Sequence, residues 1–377
     1  MRKAMRLLRV RLAVLTIGLG LPATAEAQFR YNSDGNVVTI TGYTGAAGSV
    51  TIPSSVGKRP VISIGNSAFS SSSLTSVTIP ASVTNIAAGA FHVCPSLNSI
   101  TVAAGNPAYG SVDGVLFAYE SVDGIIYDKS QLTLVQYPGG KAGPYTISNN
   151  VTRIGDSSFY WCPSLTGVAI PNTVTTIGDF AFGYCTSLTN VTIPDSVTNI
   201  GDHAFLFCSS LSGLTLGRNL SSIGSGAFYS CPALTSLTIP SSVTSIQDSA
   251  FSTCLNMKGV YFQGNAPSAD SSAFDYDDQT TVYYLPGTTG WSKTFSGRPT
   301  VLWNPQVQPG SSGVRTNQFG SNITGSSNLV VVIQATTSLA NPTWLPLHTN
   351  TLNGNPLYFT DPSWTNYRSR FYRVTWP

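Results

Sequence analysis

The chain has 377 residues, and only 9% of them are charged, against about a quarter in an average soluble protein. Five of the 19 basic residues and Glu26 lie in the first 27 residues, so the remainder has 19 − 5 = 14 basic and 16 − 1 = 15 acidic residues. A balance this close to neutral excludes a broadly basic surface of the kind that binds nucleic acid. We therefore expect no nucleic-acid partner.

The N-terminal segment, residues 1–27, has the features of a secretory signal peptide. Five basic residues precede an apolar run over residues 12–21, and Ala25-Glu26-Ala27 forms an A-x-A cleavage site. The apolar run is too short to remain in a bilayer as a spanning helix. We expect an exported protein, secreted or at the cell surface, with no membrane span after cleavage.

Residues 28–57 are predicted to form an N-terminal β cap. Two alternating runs, VVTITGY and SVTIPSSV, are separated by a glycine-rich turn, as in a β-hairpin. A hairpin at this place would cover the open end of a repeat array, whose strand edges would otherwise be unpaired.

From residue 58 to residue 303 the chain repeats, most regularly over residues 165–257, where a 23-residue unit occurs four times. A fixed period of this length predicts a solenoid, in which each coil buries its apolar side chains against its neighbours. The unit reads L-x-x-V-x-I-P, then V-x-x-I-G, then A-F-x-x-C. Alternation in the first block predicts a short strand that proline ends. The predicted fold class is a β-rich solenoid of short strands and short helical turns.

Two positions of the repeat are predicted to form columns inside the solenoid, because equivalent residues of adjacent coils lie about 4.8 Å apart. Disulfides are the usual role of six cysteines in an exported chain. Parallel side chains at one coil position hold their Cβ atoms too far apart, however, so we expect buried thiols. The phenylalanines are Phe69, Phe91, Phe159, Phe182, Phe205, Phe228, Phe251 and Phe274. The cysteines are Cys94, Cys162, Cys185, Cys208, Cys231 and Cys254.

A short polar residue stands three positions before most of these phenylalanines. It is an aspartate in four coils, at Asp156, Asp179, Asp202 and Asp248. Such residues cap helix N-termini by accepting backbone N–H groups, which predicts one helical turn for A-F-x-x-C. The alternative is a calcium ladder along the stacked carboxylates. Capping explains the Ser and Asn of other coils equally well, whereas calcium binding does not.

The motif I-P-x-x-V-x-x-I-G-x-x-A-F-x-x-C, which occupies residues 193–208, resembles the BspA-like class of bacterial leucine-rich repeats. The resemblance covers about residues 29–303. It implies a curved leucine-rich-repeat solenoid, secreted or on the cell surface, that serves adhesion or protein binding, and it implies no catalytic residues. Ala87 and Gln247 depart from the motif at its glycine, and Leu216-Gly217 replaces Ile-Pro.

Three further segments differ from the repeat. The insert, residues 103–146, contains two Asp-Gly steps that predict a projecting hairpin, while Leu132, Val135, Tyr137 and Pro138 match the strand template. Residues 304–313 have the composition of a flexible linker. Residues 314–377 predict four or five strands of a small β-sandwich-like module. This module resembles terminal modules of secreted proteins from environmental bacteria, a likeness to which no activity attaches.

No catalytic or cofactor motif is recognisable. His92, His203 and His348 occupy unrelated positions and are interpreted as isolated surface residues, and there is no P-loop, G-x-S-x-G or dinucleotide-binding run. We expect no cofactor, no metal and no enzymatic activity; the competing interpretation is a secreted polysaccharide-acting enzyme or accessory subunit. Four clustered carboxylates could hold calcium or could form a solvated cap loop. They are Asp270, Asp275, Asp277 and Asp278.

The candidate ligand site lies in the two variable positions after each phenylalanine. Aromatic residues occupy them in consecutive coils but not in every coil, so the coil itself does not require aromatics. Exposed rings would form a column at about 5 Å steps, an apolar patch suited to protein side chains or sugar faces. Alternatively, the rings fold back and seal the turn. The residues are Tyr160, Trp161, Tyr184, Phe207 and Tyr229.

A second uncharged surface is predicted on the first strand of the repeat, where threonines face outward. We expect a monomer whose partner is a protein or a glycan. The threonines are Thr78, Thr101, Thr192, Thr215 and Thr238.

Overall fold

The computed structural model describes residues 27–110, 126–128, 133–316, 318–325, 329–353 and 355–375. Residues 1–26 of the predicted signal peptide and both Asp-Gly steps of the insert lie outside this set. Within these ranges no helix combines the length and the apolar character that crossing a membrane requires.

Short β-strands form nearly all of the regular structure. The N-terminal region contains β1 (Phe29–Ser33), β2 (Val38–Tyr43), β3 (Gly48–Thr51), β4 (Ser55–Val56), β5 (Arg59–Ile64), β6 (Leu74–Ile79), β7 (Asn85–Ile86) and β8 (Ser99–Val102). The insert contains β9 (Tyr109–Gly110), β10 (Ile126–Asp128), β11 (Thr133–Gln136) and β12 (Gly143–Thr146).

The regular coils follow the insert, and a strand-rich module ends the chain. The coils contain β13 (Arg153–Ile154), β14 (Leu165–Ala169), β15 (Thr176–Ile177), β16 (Asn190–Thr192), β17 (Asn199–Ile200), β18 (Gly213–Thr215), β19 (Ser222–Ile223), β20 (Ser236–Ile239), β21 (Ser245–Ile246), β22 (Gly259–Phe262), β23 (Ser268–Ala269), β24 (Thr281–Tyr284), β25 (Thr294–Phe295) and β26 (Arg298–Leu302). The module contains β27 (Gln306–Val307), β28 (Gly313–Arg315), β29 (Gln318–Thr324), β30 (Leu329–Thr336), β31 (Leu345–Leu352), β32 (Leu357–Asp361), a 3-10 turn (Trp364–Asn366) and β33 (Phe371–Thr375).

Two strands of each coil build two parallel sheets. The second sheet stacks the V-x-x-I strands in chain order, so that Ile177 pairs with Ile200 and Ile200 with Ile223, 23 residues apart. The first sheet, built from L-x-x-V-x-I strands, runs in sections such as β12-β14-β16-β18 and β20-β22-β24-β26. Apolar positions of both sheets are buried between them. The predicted solenoid of 23-residue coils is confirmed.

The phenylalanine column fills the centre of the coils. Phe182 stacks on Phe205 with ring centroids 5.0 Å apart and planes at 9°, and Phe205 stacks on Phe228 at 5.2 Å and 3°. Tyr137 of the insert extends the column by stacking on Phe159 at 4.9 Å. Its backbone N–H donates to a carbonyl of the next coil, as that of Phe159 does. Tyr137 therefore occupies the phenylalanine position and not, as the template match suggested, a strand position.

The A-F-x-x-C segment is a series of β-turns and not the predicted helical turn. Around Phe182, the N–H groups of Ala181, Gly183 and Cys185 donate to carbonyls three residues earlier, and the intervening N–H groups donate to the next coil. An α-helix would need all of these donors for itself. The residues two before and two after the phenylalanine are left-handed, with φ of 55° at Phe180 and 60° at Tyr184. Hydrogen bonds to the next coil therefore take the place of the hydrogen bonds that an α-helix would form within itself.

The prediction that these aspartates cap helices was wrong, because Asp156, Asp179 and Asp202 instead accept backbone N–H groups of the next coil. Oδ1 of Asp156 accepts the backbone N–H of Asp179 at 3.0 Å, and Oδ1 of Asp179 accepts that of Asp202 at 2.8 Å. This packing favours glycine at Gly178, Gly201 and Gly224, because a Cβ there would collide with the aspartate of the preceding coil; at Gly201 it would lie 2.6 Å from Asp179 Oδ1. The described residues contain no group of three side chains placed to hold a metal ion.

The two strands predicted to form the N-terminal hairpin pair differently. β2 lies parallel to β5 in the second sheet, and β3 lies parallel to β6 in the first. The antiparallel partner of β2 is β1, with Phe29 opposite Tyr43. A strand with one buried face shows the same alternation of apolar residues in a parallel and in an antiparallel sheet. The alternation therefore could not identify which strand pairs with which.

The residues predicted as a flexible linker, 304–313, are part of the C-terminal module. β27 pairs antiparallel with the end of β29, and the hydroxyl of buried Ser311 bonds to that of Ser321. The polar side chains of this segment form hydrogen bonds within the module. In a solvated linker the same side chains would bond to water. β27, β28, β29 and β32 form one sheet of the module, and β30, β31 and β33 form the other.

The module packs on the end of the first sheet. Thr192 and Thr215 pair in this sheet and are exposed, but further along the same row Thr238 pairs with Tyr261, and Tyr261 with Tyr283. Tyr261 and Tyr283 are buried in a hydrophobic cluster with residues of the module. The threonine row is thus exposed along only part of the first sheet. It ends where aromatic residues replace threonine, because the module covers those residues.

Within the described residues, five of the six cysteines, all except Cys162, donate a thiol hydrogen bond to the preceding coil. The thiol of Cys208 donates to the carbonyl oxygen of Phe182 at 3.2 Å, and that of Cys231 donates to Phe205 at 3.2 Å. All six cysteines are free and buried. Burial raises the pKa of Cys231 to about 12. Because only the thiolate is reactive, these thiols should be inert in the folded chain.

We expect the folded protein at pH 8 to give almost no reaction with Ellman's reagent, because all six thiols are buried. In guanidinium chloride without reductant it should titrate six thiols per chain, since all six cysteines are free. Two or fewer thiols in the denatured protein would mean that disulfides have formed and would contradict the thiol column.

The last coil has Asp277 at the cysteine position, three residues after Phe274. Its side chain is 1% exposed, and neither carboxylate oxygen has a hydrogen-bond partner in the described part of the chain. Burial raises the pKa of Asp277 to about 7, although Arg298 opposes the shift. Within the acidic cluster, Asp278 instead bonds to Arg298 at 2.8 Å. A carboxyl group therefore continues a column of thiols.

Replacing Asp277 by Cys should stabilise the protein more at pH 8 than at pH 5. The pKa of Asp277 is raised from 3.8 to about 7 on folding, so the folded chain binds an additional proton, and stability falls as pH rises through this window. The stabilisation measured by thermal unfolding should be greater at pH 8 by up to about 2–3 kcal/mol. Asp275→Asn, at an exposed neighbour, is the control. An equal effect of Asp277→Cys at both pH values would show that Asp277 does not titrate in this range.

Candidate functional site

The predicted ligand residues lie together on one edge of the solenoid. We call this the turn edge, the residues from two before to two after each phenylalanine of the column. The rings of Trp161 and Tyr184 are 4.8 Å apart, those of Tyr184 and Phe207 4.9 Å, and those of Phe207 and Tyr229 5.8 Å. Tyr160 lies 5.5 Å from Tyr184. The five rings therefore form one continuous row across four coils.

All five rings are half-buried. This state lies between the two alternatives drawn from the sequence, an exposed column and rings that only seal the turn. Part of each ring packs against the neighbouring coil, and the rest can be reached from solvent.

A second, shorter row runs beside the first and was missed from the sequence. Phe180 and His203 stack with centroids 4.8 Å apart and planes at 4°, and Tyr160 joins the rows by lying 6.0 Å from Phe180. His92 contacts Tyr160 at 5.7 Å. The interpretation of His92 and His203 as isolated surface residues was wrong. Their shared position, within two residues of a column phenylalanine, was the signal that could have placed them here.

The backbone under the first row is left-handed. The φ angles are 58° at Trp161, 60° at Tyr184 and 56° at Phe207, and Ser230 and Thr253 continue the same position at 56° and 66°. For a residue with a Cβ this conformation costs about 1–2 kcal/mol. Glycine would adopt it without strain, as Gly226 does two residues before Phe228. The turn therefore accepts small residues and does not itself favour aromatic ones.

Burial favours the neutral form of two ionisable rings on the turn edge. Burial lowers the pKa of His92, so its imidazole is neutral, and burial raises the pKa of Tyr160, which Tyr184 raises further. The tyrosine hydroxyls can donate and accept hydrogen bonds at the border of an otherwise apolar surface. The arrangement suits contact with apolar side chains or with the C–H faces of sugars.

Open recesses lie on the first sheet, away from the turn edge. One, of about 460 Å³, is bordered by Tyr145, Val168 and Asn190, and another, of about 520 Å³, by Thr215 and Thr238. They are shallow gaps between outward-facing side chains of neighbouring coils. The threonine row therefore offers hydroxyl groups but few rings, in contrast to the turn edge.

Comparisons with known proteins identify the repeat. A sequence profile described as "BspA type Leucine rich repeat region" matches residues 44–132 and 146–281 in six copies. Comparison with curated proteins finds no significant match.

Several solved structures resemble the solenoid. A leucine-rich repeat protein from Eubacterium ventriosum is 22% identical with a TM-score of 0.53, and the match covers 68% of this chain and 65% of that one. A leucine-rich repeat protein from Bacteroides ovatus is 22% identical with a TM-score of 0.45, covering 73% and 75%. A leucine-rich cell surface protein from Faecalibacterium prausnitzii is 20% identical with a TM-score of 0.29, covering 71% and 94%. At these identities the likeness concerns the fold.

Proposed function

Because the chain belongs to the BspA-type leucine-rich repeat family, we propose that it is an exported binding or adhesion protein that recognises a protein or glycan partner. We propose that it acts by binding and not by catalysis, which is consistent with a family of repeat proteins. The observation that carries the proposal is the row of five half-buried aromatic side chains on the turn edge. A shorter run of half-buried rings, Tyr284, Trp291 and Phe295, lies near the C-terminal end of the solenoid, but it contains only three rings.

The shape of the row favours an extended partner. Its rings occupy four successive coils, and coils are spaced by about 4.8 Å, so the row is about 15 Å long. A segment of extended peptide or a short run of sugar rings matches this length. Tyrosine and tryptophan also contribute strongly at binding surfaces, because they bury a large apolar area while the hydroxyl or indole N–H keeps a polar contact.

The role of the row can be tested by replacing Trp161, Tyr184 and Phe207 together by glycine. Glycine relieves about 1 kcal/mol of backbone strain at each position, which offsets part of the lost ring contacts. We expect the melting temperature to change by only a few degrees. Binding to the partner found on a protein or glycan array should fall at least about tenfold, a loss of about 1.4 kcal/mol.

The matched control changes the same turn position where it carries no aromatic side chain, by replacing Ser71, Ser230 and Thr253 with glycine. This variant should keep full binding. If the aromatic variant also keeps full binding, the row is not the site. If it unfolds at a much lower temperature than the control, the rings serve the core.

Export is the second part of the proposal, and the N-terminal segment supports it. Cleavage after Ala27 would leave Gln28 as the first residue of the mature protein. We expect N-terminal sequencing of protein recovered outside the cytoplasm to begin at Gln28. Recovery of the intact N-terminus from the cytoplasm alone would contradict export.

A further inference from the structure

The C-terminal module contains a cavity that the proposed function of the turn edge does not use. It measures about 440 Å³ and is lined by residues of both sheets of the module. Its floor is apolar, with Ile323, Ile333 and Phe359 all nearly inaccessible to solvent. Phe319 and Tyr372 stack on each other at 4.5 Å along its wall. A cavity of this size and lining suits the apolar, ring-containing body of a small molecule.

One cationic side chain reaches the cavity with an unused donor. The side chain of Arg370 is 10% exposed, and its Nε lies 2.8 Å from Oδ2 of Asp361. Both its Nε and its Nη1 are buried without a hydrogen-bond acceptor within the described residues, so the contact of Nε with Asp361 is an ion pair only. A buried donor without an acceptor is unfavourable, and a charged donor more so. An anionic group of a ligand in the cavity would provide the acceptor.

Asp361 balances the charge of one guanidinium only, that of Arg370. That carboxylate also accepts the hydroxyl of Tyr372 and the backbone N–H of Ser363, both at 2.9 Å. A second guanidinium, that of Arg373, lines the cavity and lies 4.4 Å from the ring of Trp344. Two cationic groups therefore line the cavity against one shared carboxylate.

The wider charge distribution supports an anionic ligand for the module. Residues 304–377 contain four arginines and one aspartate, a net charge of 4 − 1 = +3. Residues 28–303 contain 10 basic and 14 acidic residues, a net charge of 10 − 14 = −4. The module is thus the basic part of an acidic protein.

Exposed apolar side chains also concentrate in the module. Of eleven large exposed ones in the part of the chain that the structure describes, seven belong to it. Leu339, which is 58% exposed, and Phe371 border the cavity. Exposed apolar groups around a concave site are typical of binding sites. The seven are Val307, Val314, Leu339, Leu345, Tyr358, Tyr367 and Phe371.

We propose that this cavity binds a small aromatic carboxylic acid. The aromatic body lies over Ile323, Ile333 and Phe359, and the carboxylate accepts a hydrogen bond from Nη1 of Arg370. Arg373 adds a second positive charge at the opening. The proposal is independent of the turn edge, because it rests on different residues and a different ligand.

The first test compares two probes of equal shape on the full mature chain. 2-Naphthoate carries a carboxylate, and 2-naphthalenemethanol is its uncharged counterpart. A charge-assisted hydrogen bond predicts that 2-naphthoate binds at least about tenfold more tightly in calorimetry at low salt. Equal affinities, or no binding of either probe, would overturn the proposal.

Charge changes at the opening locate the site without disturbing the core. Leu339→Glu should weaken 2-naphthoate binding several-fold and Leu339→Lys should not, while neither should change 2-naphthalenemethanol binding much. Leu255→Glu, at an exposed leucine of the solenoid, is the control and should change nothing. Identical affinities for the two Leu339 variants would show that the probe binds elsewhere.

Arg370→Gln should abolish the preference for the carboxylate if the variant folds. If it does not fold, the two Leu339 variants still show whether the probe binds in this cavity.

A peptide C-terminus presents the same chemistry and needs a separate measurement. A dipeptide ending in phenylalanine with a free carboxylate should bind no more tightly than 2-naphthoate. Tighter binding that is lost when the peptide is amidated would overturn the assignment to a small acid.

Discussion

Hydrogen bonds between residues 22 to 26 positions apart hold adjacent coils together, and the other regularities of the chain depend on them. Phe182 shows how many groups take part. Its N–H donates to Ala204 of the next coil, and its carbonyl oxygen accepts both the N–H of Cys185 and the thiol of Cys208. A valine or alanine at Cys208 would fill the space but could not donate. The repeat therefore specifies cysteine for a hydrogen bond as well as for its size.

The columns change where the stack ends, because a terminal coil lacks one neighbour. At the N-terminal end, Tyr43 and Phe29 of the first two strands cover Phe69, with ring distances of 5.7 and 6.4 Å. At the C-terminal end, Asp277 takes the cysteine position, and the module covers the tyrosines that replace threonine on the first sheet. One end is closed by rings and the other by a separate set of strands.

Periodicity predicted the coil, its two columns and the absence of room for disulfides, because these depend only on which residues recur. It could not predict where a hydrogen bond goes. Asp179 stands three residues before Phe182 and 23 residues from Asp202, so helix capping and bonding to the next coil fit the same pattern. Residues 304–313 were misjudged for a similar reason, since serine and glutamine that bond within a module have the composition of a linker. Phe180 and His203 were missed because they differ in residue type, although their backbone position is the same.

The aromatic row that we propose as the binding site is tolerated at little expense to the fold. Left-handed backbone at Trp161, Tyr184 and Phe207 costs about 1–2 kcal/mol per residue. Aromatic pairs at the distances between these rings contribute about 0.5–1.5 kcal/mol each. The two effects nearly offset, and Ser71, Ser230 and Thr253 fill the same position in other coils. The stack therefore depends on the column beneath and leaves these side chains open to selection by a ligand.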